Sequence, residues 1–261
     1  MLHVDSLSFY YDKEKVILKD ISFSLISHDI LCLLGSNGTG KTTLLRCILS
    51  LNKSKSGKIE LNGVDLTKIN ANKRAKLMSY VPQATSMVFP YEAEEVVLMG
   101  RVMHLSLGCS PTIEDKHIVN RTMDKLGIEH LKHKIFNQMS GGEKQMVLIA
   151  RALAQNSRIL IMDEPTANLD FSNQIKILRT VRSLADEGYS ILMTSHFPDH
   201  AFLACNKVGL MRDGTIMAFG YSEDIVTTEN LTTLYRTPVC VSEVTLDRAN
   251  SITKVCVPVM E

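Results

Sequence analysis

The residues best equipped for chemistry form one run: Gly35, Ser36, Asn37, Gly38, Thr39, Gly40, Lys41 and Thr42, with Thr43 next. Their order fits G-x-x-x-x-G-K-[ST], a loop whose backbone N–H groups turn inward around a β-phosphate. The helix expected to follow adds the partial positive charge of its N-terminus. Lys41 is then expected to bridge the β- and γ-phosphates of ATP, and the Thr42 hydroxyl to ligate Mg²⁺. A glycine-rich turn with an incidental lysine is the alternative. The apolar run before the loop and the helical pattern after it weigh against that reading.

Two further groups carry chemistry. The apolar run Ile159 to Met162 ends in Asp163-Glu164-Pro165. An ionised carboxylate closing a buried strand is costly unless a cation compensates it, so Asp163 is expected in the Mg²⁺ shell. Glu164 faces differently along the pleat and is placed to polarise the attacking water as a general base. Ser140-Gly141-Gly142 precedes the helical run Glu143 to Gln155 and makes a second glycine-rich helix N-terminus able to bind an anion. One nucleotide already has its phosphates held at Gly35 to Thr42, so this second anion site needs another role.

The elements that must position these groups are legible as patterns. His3 to Leu25 alternates apolar and polar residues around Tyr11-Asp12-Lys13-Glu14, as paired antiparallel strands do. Ile30 to Leu34, Ile159 to Met162 and Ile191 to Met193 are short, continuous apolar runs, the mark of parallel strands buried on both faces. Each ends in a functional group, and ligands of open parallel sheets sit beyond the carboxyl ends of the strands. Helical patterns cover Thr43 to Leu51, Ile113 to Leu126 and Glu143 to Gln155, the last two inside an expected helical subdomain at about 84–156. A short helix is expected from Glu223 to Tyr235, then an alternating tail, Val239 to Val259, with no evident partner. The fold class is α/β, with a mostly parallel sheet core.

Composition narrows the function. The 261 residues are 45% hydrophobic and 22% charged, ordinary globular material. Lys plus Arg (29) nearly equals Asp plus Glu (28), so no broad basic face is available for nucleic acid. The apolar runs are too short to cross a bilayer of roughly 30 Å, and the N-terminus lacks the pattern of a secretion signal, so a cytoplasmic location is expected. Six scattered cysteines without a Cys-x-x-Cys pair are expected to be reduced thiols. His196 and His200 are spaced i, i+4 as in a metal pair, but Pro198 lies between them and is expected to start the helix after His196. His130 and His133 are expected on a solvated helix face.

In order, Tyr11, Gly35 to Thr42, Gln83 in Val-Pro-Gln, Met139-Ser-Gly-Gly-Glu-Lys-Gln145, Ile159 to Glu164, Ala167-Asn-Leu-Asp170 and His196 resemble the ATP-binding-cassette transporter ATPases. The resemblance covers about residues 2–237. It implies a P-loop NTPase of ABC type, with a mostly parallel core, an N-terminal antiparallel β subdomain and an inserted α-helical subdomain. It further implies that two copies bind head to tail and sandwich ATP between the phosphate loop of one and the Ser140-Gly141-Gly142-Glu143 segment of the other. By the same resemblance Tyr11 stacks on adenine, Gln83 touches Mg²⁺ or the lytic water, His196 contacts the γ-phosphate and Asp170 communicates across the dimer.

Met139 and Glu143 depart from the commoner Leu-Ser-Gly-Gly-Gln, and Glu143 brings negative charge near the partner's nucleotide. Phe89 to Arg101 and Asn230 to Tyr235 resemble importer ATPases for iron chelates, haem, cobalamin and molybdate. A polytopic membrane permease, and indirectly a solute-binding protein, are the implied partners, at the cytoplasmic face of the membrane. The permease is expected to dock on the surface from about Met87 to Gly100. The alternatives are a soluble cassette acting on ribosomes or DNA, the ATPase of an exporter, and a scaffold that binds ATP without turnover.

Overall fold

The computed structural model describes residues 1–261 apart from 13–14, 84–86, 107, 247–250 and 261. In chain order the strands are β1 (Leu2–Tyr10), β2 (Val16–Leu25), β3 (Ile30–Leu34), β4 (Ser56–Leu61), β5 (Val64–Asp65), β6 (Met78–Val81), β7 (Ile159–Met162), β8 (Ser190–Ser195), β9 (Lys207–Arg212), β10 (Thr215–Tyr221), β11 (Val239–Leu246) and β12 (Ser251–Pro258). The α-helices are α1 (Lys41–Ile48), α2 (Ala71–Ala75), α3 (Ala93–Leu98), α4 (Ile113–Lys125), α5 (Gly141–Ala154), α6 (Phe171–Asp186), α7 (Asp199–Ala204), α8 (Ser222–Ile225) and α9 (Thr228–Tyr235). The chain divides into two compact units, Met1–Lys68 with Leu184–Glu261, and Ile69–Ser183.

In the first unit, β2, β1, β4 and β5 form an antiparallel sheet in that order. Alternation drives it: Leu2, Val4, Leu7 and Phe9 of β1 are buried while Asp5 and Ser6 between them are exposed. Every residue of β3 is buried, which explains its unbroken apolar run. Strand β3 pairs in parallel with β8 on one side and β9 on the other, and β10 adds antiparallel to β9. The register sets Leu34 opposite Ser195, so Gly35 and His196 leave neighbouring strand ends on the same edge. Two expected termini therefore converge within this unit.

The second unit holds the parallel pair β6–β7, in register from Met78↔Ile159 to Val81↔Met162. Helix α5 buries Met146, Val147, Leu148, Ile149 and Ala150, and the Ser79 hydroxyl on β6 donates to the Ala152 carbonyl at 2.8 Å. Helix α4 starts on a reciprocal cap between Thr112 and Asp115. Asp115 also pairs with Arg101 at 2.9 Å, both side chains buried, and Arg101 donates to the Ala154 carbonyl at 2.9 Å.

Several expectations need correction. Helix α1 begins at Lys41, not Thr43, and ends at Ile48. Helix α5 begins at Gly141, since Ser140 supplies its cap. The single helix expected over Glu223 to Tyr235 is two, α8 and α9, because Thr227 takes extended backbone and its hydroxyl caps α9 by accepting from Asn230 N. The tail's two halves pair with each other as the hairpin β11–β12, and the Cys256 amide docks it on α7 by donating to Asp199 Oδ1 at 2.8 Å. His130 sits on a 3₁₀ turn (Glu129–Leu131) rather than a helix face. The turn residues Lys13 and Glu14 and the expected subdomain start at Ala84 lie outside the described residues.

Candidate functional site

In the first unit the phosphate loop joins β3 to α1. Gly40 stands at the helix N-cap with φ 100, a left-handed value that costs glycine nothing, and a Cβ there would meet Leu18 Cδ2 at 3.0 Å. Gly38 is also left-handed, with φ 82. Thr39 Oγ1 donates to the Ser36 carbonyl at 3.0 Å, tightening the loop on itself. The Lys41 side chain is 95% shielded, and its ammonium donates to the carbonyls of Gly35 at 2.7 Å and Ser36 at 3.1 Å. A buried cation held inside a glycine loop at the start of an eight-residue helix with no acidic residue in its first turn has the chemistry to cradle a polyphosphate. Thr42 is exposed at the same helix start, with Thr43 half-buried beside it.

Also in this unit, Tyr11 presents an exposed ring, braced edge-on by Phe9 at 4.9 Å and 88°. Ser36, Asn37, Gly38 and Thr39 line a cavity of about 490 Å³ together with Lys15, Arg212, Arg236 and Tyr235. Those last four escaped the sequence reading, because their approach to the loop depends on the β9–β10 turn and the end of α9. His196 follows β8. His200 packs back on Ser195, its Nδ1 2.9 Å from Ser195 Oγ, and burial, aided by His196, lowers its pKa to about 4. A neutral His200 engaged with Ser195 accounts for the i, i+4 spacing without a metal.

In the second unit Asp163 closes β7, 93% shielded, its amide donating to the Val81 carbonyl at 2.9 Å and its Oδ2 accepting from the Tyr80 hydroxyl at 3.4 Å. Glu164 turns with φ 46, left-handed backbone that glutamate rarely adopts, and is half-buried. Gln83 is exposed just beyond β6. The oxygen donors at Thr42, Asp163 and Gln83 are hard ligands of the kind Mg²⁺ takes.

Ser140, Gly141, Gly142 and Glu143 open α5 with a reciprocal cap. Glu143 N donates to Ser140 Oγ at 3.3 Å, and Ser140 N donates to Glu143 Oε2 at 2.7 Å. Lys134 Nζ reaches both Glu143 oxygens at 2.9 Å, and this lysine, with the Ser140 amide, holds the Glu143 carboxyl below its usual pKa. The extra negative charge expected of Glu143 is thus matched inside the unit by a lysine the sequence reading passed over. Asp170 accepts from Asn173 N at 2.9 Å and Asn173 Nδ2 at 2.8 Å, which lowers its pKa. Asn173 in turn abuts Gly142, and Leu169 abuts Gly141, so the Ala167 to Asp170 segment and the start of α5 are one packed structure. Among the described residues one cluster, Glu92, Glu94 and His133, has metal-binding donors. Within it His133 Nδ1 lies 2.9 Å from Glu92 Oε2, and Lys132 Nζ lies 3.4 Å from Glu94 Oε2.

A glycine loop around a buried lysine at the end of a parallel strand, in a chain that also ends a buried strand in Asp-Glu, defines a P-loop ATPase. A family model described as ABC transporter matches residues 18–167. The chain belongs to that family and is an ATP-hydrolysing cassette. It is 34% identical over 239 residues to the molybdate import ATP-binding protein MolC of Haemophilus influenzae, covering 91% of this chain and 89% of that one. It is 35% identical over 243 residues to an iron chelatin transport ATP-binding protein named as probable in Helicobacter pylori strain 26695, covering 92% and 94%. Among solved structures, a chain from an ABC transporter described as of metal-chelate type, in an inward-facing conformation, superposes with a TM-score of 0.89 at 32% identity, covering 99% of this chain and 97% of that one. Among the described residues no helix is long and apolar enough to cross a membrane.

Proposed function

We propose that this chain powers a multi-subunit importer of a metal complex, an iron chelate foremost, through a composite ATP site shared by two copies of itself. The carrying observation is the buried Lys41 ammonium inside the loop Gly35–Thr42, in a chain that also holds a second, separately capped glycine helix start at Ser140–Gly142. The substrate class rests on the transporters named above. In this reading Tyr11 stacks on the adenine. Lys41 and the loop amides hold the β- and γ-phosphates. Thr42, Asp163 and Gln83 hold Mg²⁺, which when bound supplies charge neutralisation at the phosphates. Glu164 accepts a proton from the attacking water, and His196 contacts the γ-phosphate. Ser140, Gly141, Gly142 and Glu143 close over the partner's nucleotide, and Asp170 reports between the two sites.

The cassette then spans 2–237, with its core at about 2–83 and 157–222, its helical subdomain at about 84–156, and a separate tail at 238–261. A polytopic permease docks at 87–100, where Val88 and Phe89 are exposed and Tyr91 and Met99 half-buried, and a solute-binding protein delivers to that permease. The cassette lies peripherally on the cytoplasmic face of the membrane.

Subunit complementation tests the composite site. One batch carries Lys41→Ala and another Ser140→Arg, both with Glu164→Gln to slow hydrolysis. A mixed dimer has one site with both defects and one with none, because the sound Lys41 faces the sound Ser140. ATP-dependent dimer is expected on mixing, by sizing chromatography, and in neither batch alone. Its absence with both variants folded removes the composite site. ATP-driven uptake of an iron chelate into proteoliposomes, with the permease supplied, tests the substrate.

A further inference from the structure

The backbone that carries His196 is held in an unusual way, entirely within the first unit. Strand β8 ends at Ser195 and α7 starts at Asp199, so His196 to Pro198 must turn the chain without ladder hydrogen bonds. One peptide plane in that turn is anchored on both edges. Phe197 N–H donates to Ser195 Oγ at 3.0 Å, and the His196 carbonyl accepts from the Tyr235 hydroxyl at 3.1 Å. Because the peptide is planar, fixing its N–H and its C=O fixes the rotation about the His196 Cα–C bond. The direction in which the imidazole leaves the chain follows from that rotation.

Both anchors are themselves secured. Ser195 Oγ lies 2.9 Å from Nδ1 of the buried His200, whose burial keeps the ring neutral at ordinary pH. Tyr235 is the last residue of α9. Burial raises its phenol pKa well above the usual value, so the hydroxyl keeps its proton and stays a donor. The same turn of α9 also reaches the phosphate loop's surroundings. Leu234 and Tyr235 line the cavity of about 490 Å³ shared with Ser36 to Thr39. The end of α9 therefore contacts both the wall beside the phosphate loop and the backbone of the histidine.

We propose that Tyr235 is a positioning residue for His196, its hydroxyl fixing, together with Ser195, the peptide plane that presents the imidazole to the γ-phosphate. The proposal rests on the role given to His196 above. No contact between Tyr235 and nucleotide is required.

The test is steady-state ATP hydrolysis by the full chain carrying His196→Ala, Tyr235→Phe, or both. Loss of one hydrogen bond that acts through His196 lowers kcat about two- to tenfold with KM within about twofold of wild type. His196→Ala lowers kcat further, and adding Tyr235→Phe to it is expected to change nothing more, since residues acting through one group are not additive. Ser195→Ala frees the same peptide from its other edge and is expected to repeat the Tyr235→Phe pattern. Amide exchange of the 195–200 peptide should quicken in both. Wild-type kcat in either folded variant, or a Tyr235→Phe loss that persists undiminished in the His196→Ala background, overturns the positioning role and leaves His196 untouched. Wild-type turnover in His196→Ala overturns the histidine's role and this proposal with it.

Discussion

Replacing Gly142 with alanine adds a single methyl group to the second residue of α5. An ideal Cβ there falls 2.3 Å from Asn173 Oδ1, 2.4 Å from its Cγ and 3.0 Å from its Cβ. Asn173 cannot simply rotate away, because its Nδ2 holds Asp170 Oδ2 at 2.8 Å and its amide holds Asp170 Oδ1 at 2.9 Å. Overpacking of this kind costs about 1–3 kcal/mol. Losing the Asn173 side-chain bond to the exposed Asp170 carboxylate adds little, because water screens it. Against these, alanine gains up to about 1 kcal/mol over glycine in a helix. The net is a destabilisation of about 1–2 kcal/mol, or a melting point lower by about 2–8 °C for a chain of this size. Thermal unfolding followed by far-ultraviolet circular dichroism without nucleotide measures it. In an Asn173→Ala background the two worst contacts vanish, so the same glycine replacement is expected to be neutral or stabilising. A Gly142→Ala protein as stable as wild type, or an equal cost in both backgrounds, refutes the steric account and the coupling of this helix start to Asp170.

Lys41→Ala is expected to weaken ATP binding by about 1.5–3 kcal/mol, for loss of a charge-assisted contact, and calorimetric titration reads it. Glu164→Gln is expected to retain ATP binding while turnover falls by about 10² to 10⁴, because an amide cannot accept the proton of the attacking water; near-normal turnover excludes Glu164 as the base. Thr112, by its hydroxyl and amide, and then Arg101 hold the Asp115 carboxyl at about 2, below its usual 3.8. The stability this contributes is complete above pH 3.8 and disappears as pH falls toward 2. Asp115→Asn is therefore expected to cost about 1–2 kcal/mol at neutral pH, and chemical denaturation should show the gap to wild type narrowing across that acid window.

Much of this architecture could be read from local pattern, because the deciding forces are local. A strand buried on both faces must be apolar throughout, and Ile30 to Leu34, Ile159 to Met162 and Ile191 to Met193 are. Helices α1 and α5 each start two residues earlier than their patterns suggested, directly after Gly40 and after the Ser140 cap. The division of α8 from α9 went unseen because Thr227 looks like any helical threonine until its hydroxyl is found on Asn230 N. Partners remote in sequence were illegible for a different reason. Nothing in the spacing joins Lys134 to Glu143, Asn173 to Gly142 or Tyr235 to His196; tertiary packing alone brings them together. The tail's alternation promised a strand without saying which, and the answer was its own second half.

Glu164 sits at φ 46. A side chain with a Cβ held in left-handed backbone raises the energy of the fold by roughly 1–3 kcal/mol, and glycine or asparagine would occupy the position more comfortably. With Glu164 as the base proposed above, folding and turnover pull position 164 in opposite directions. In a lineage that stopped hydrolysing ATP, drift would carry this position to glycine or asparagine ahead of its buried neighbours Asp163 and Pro165.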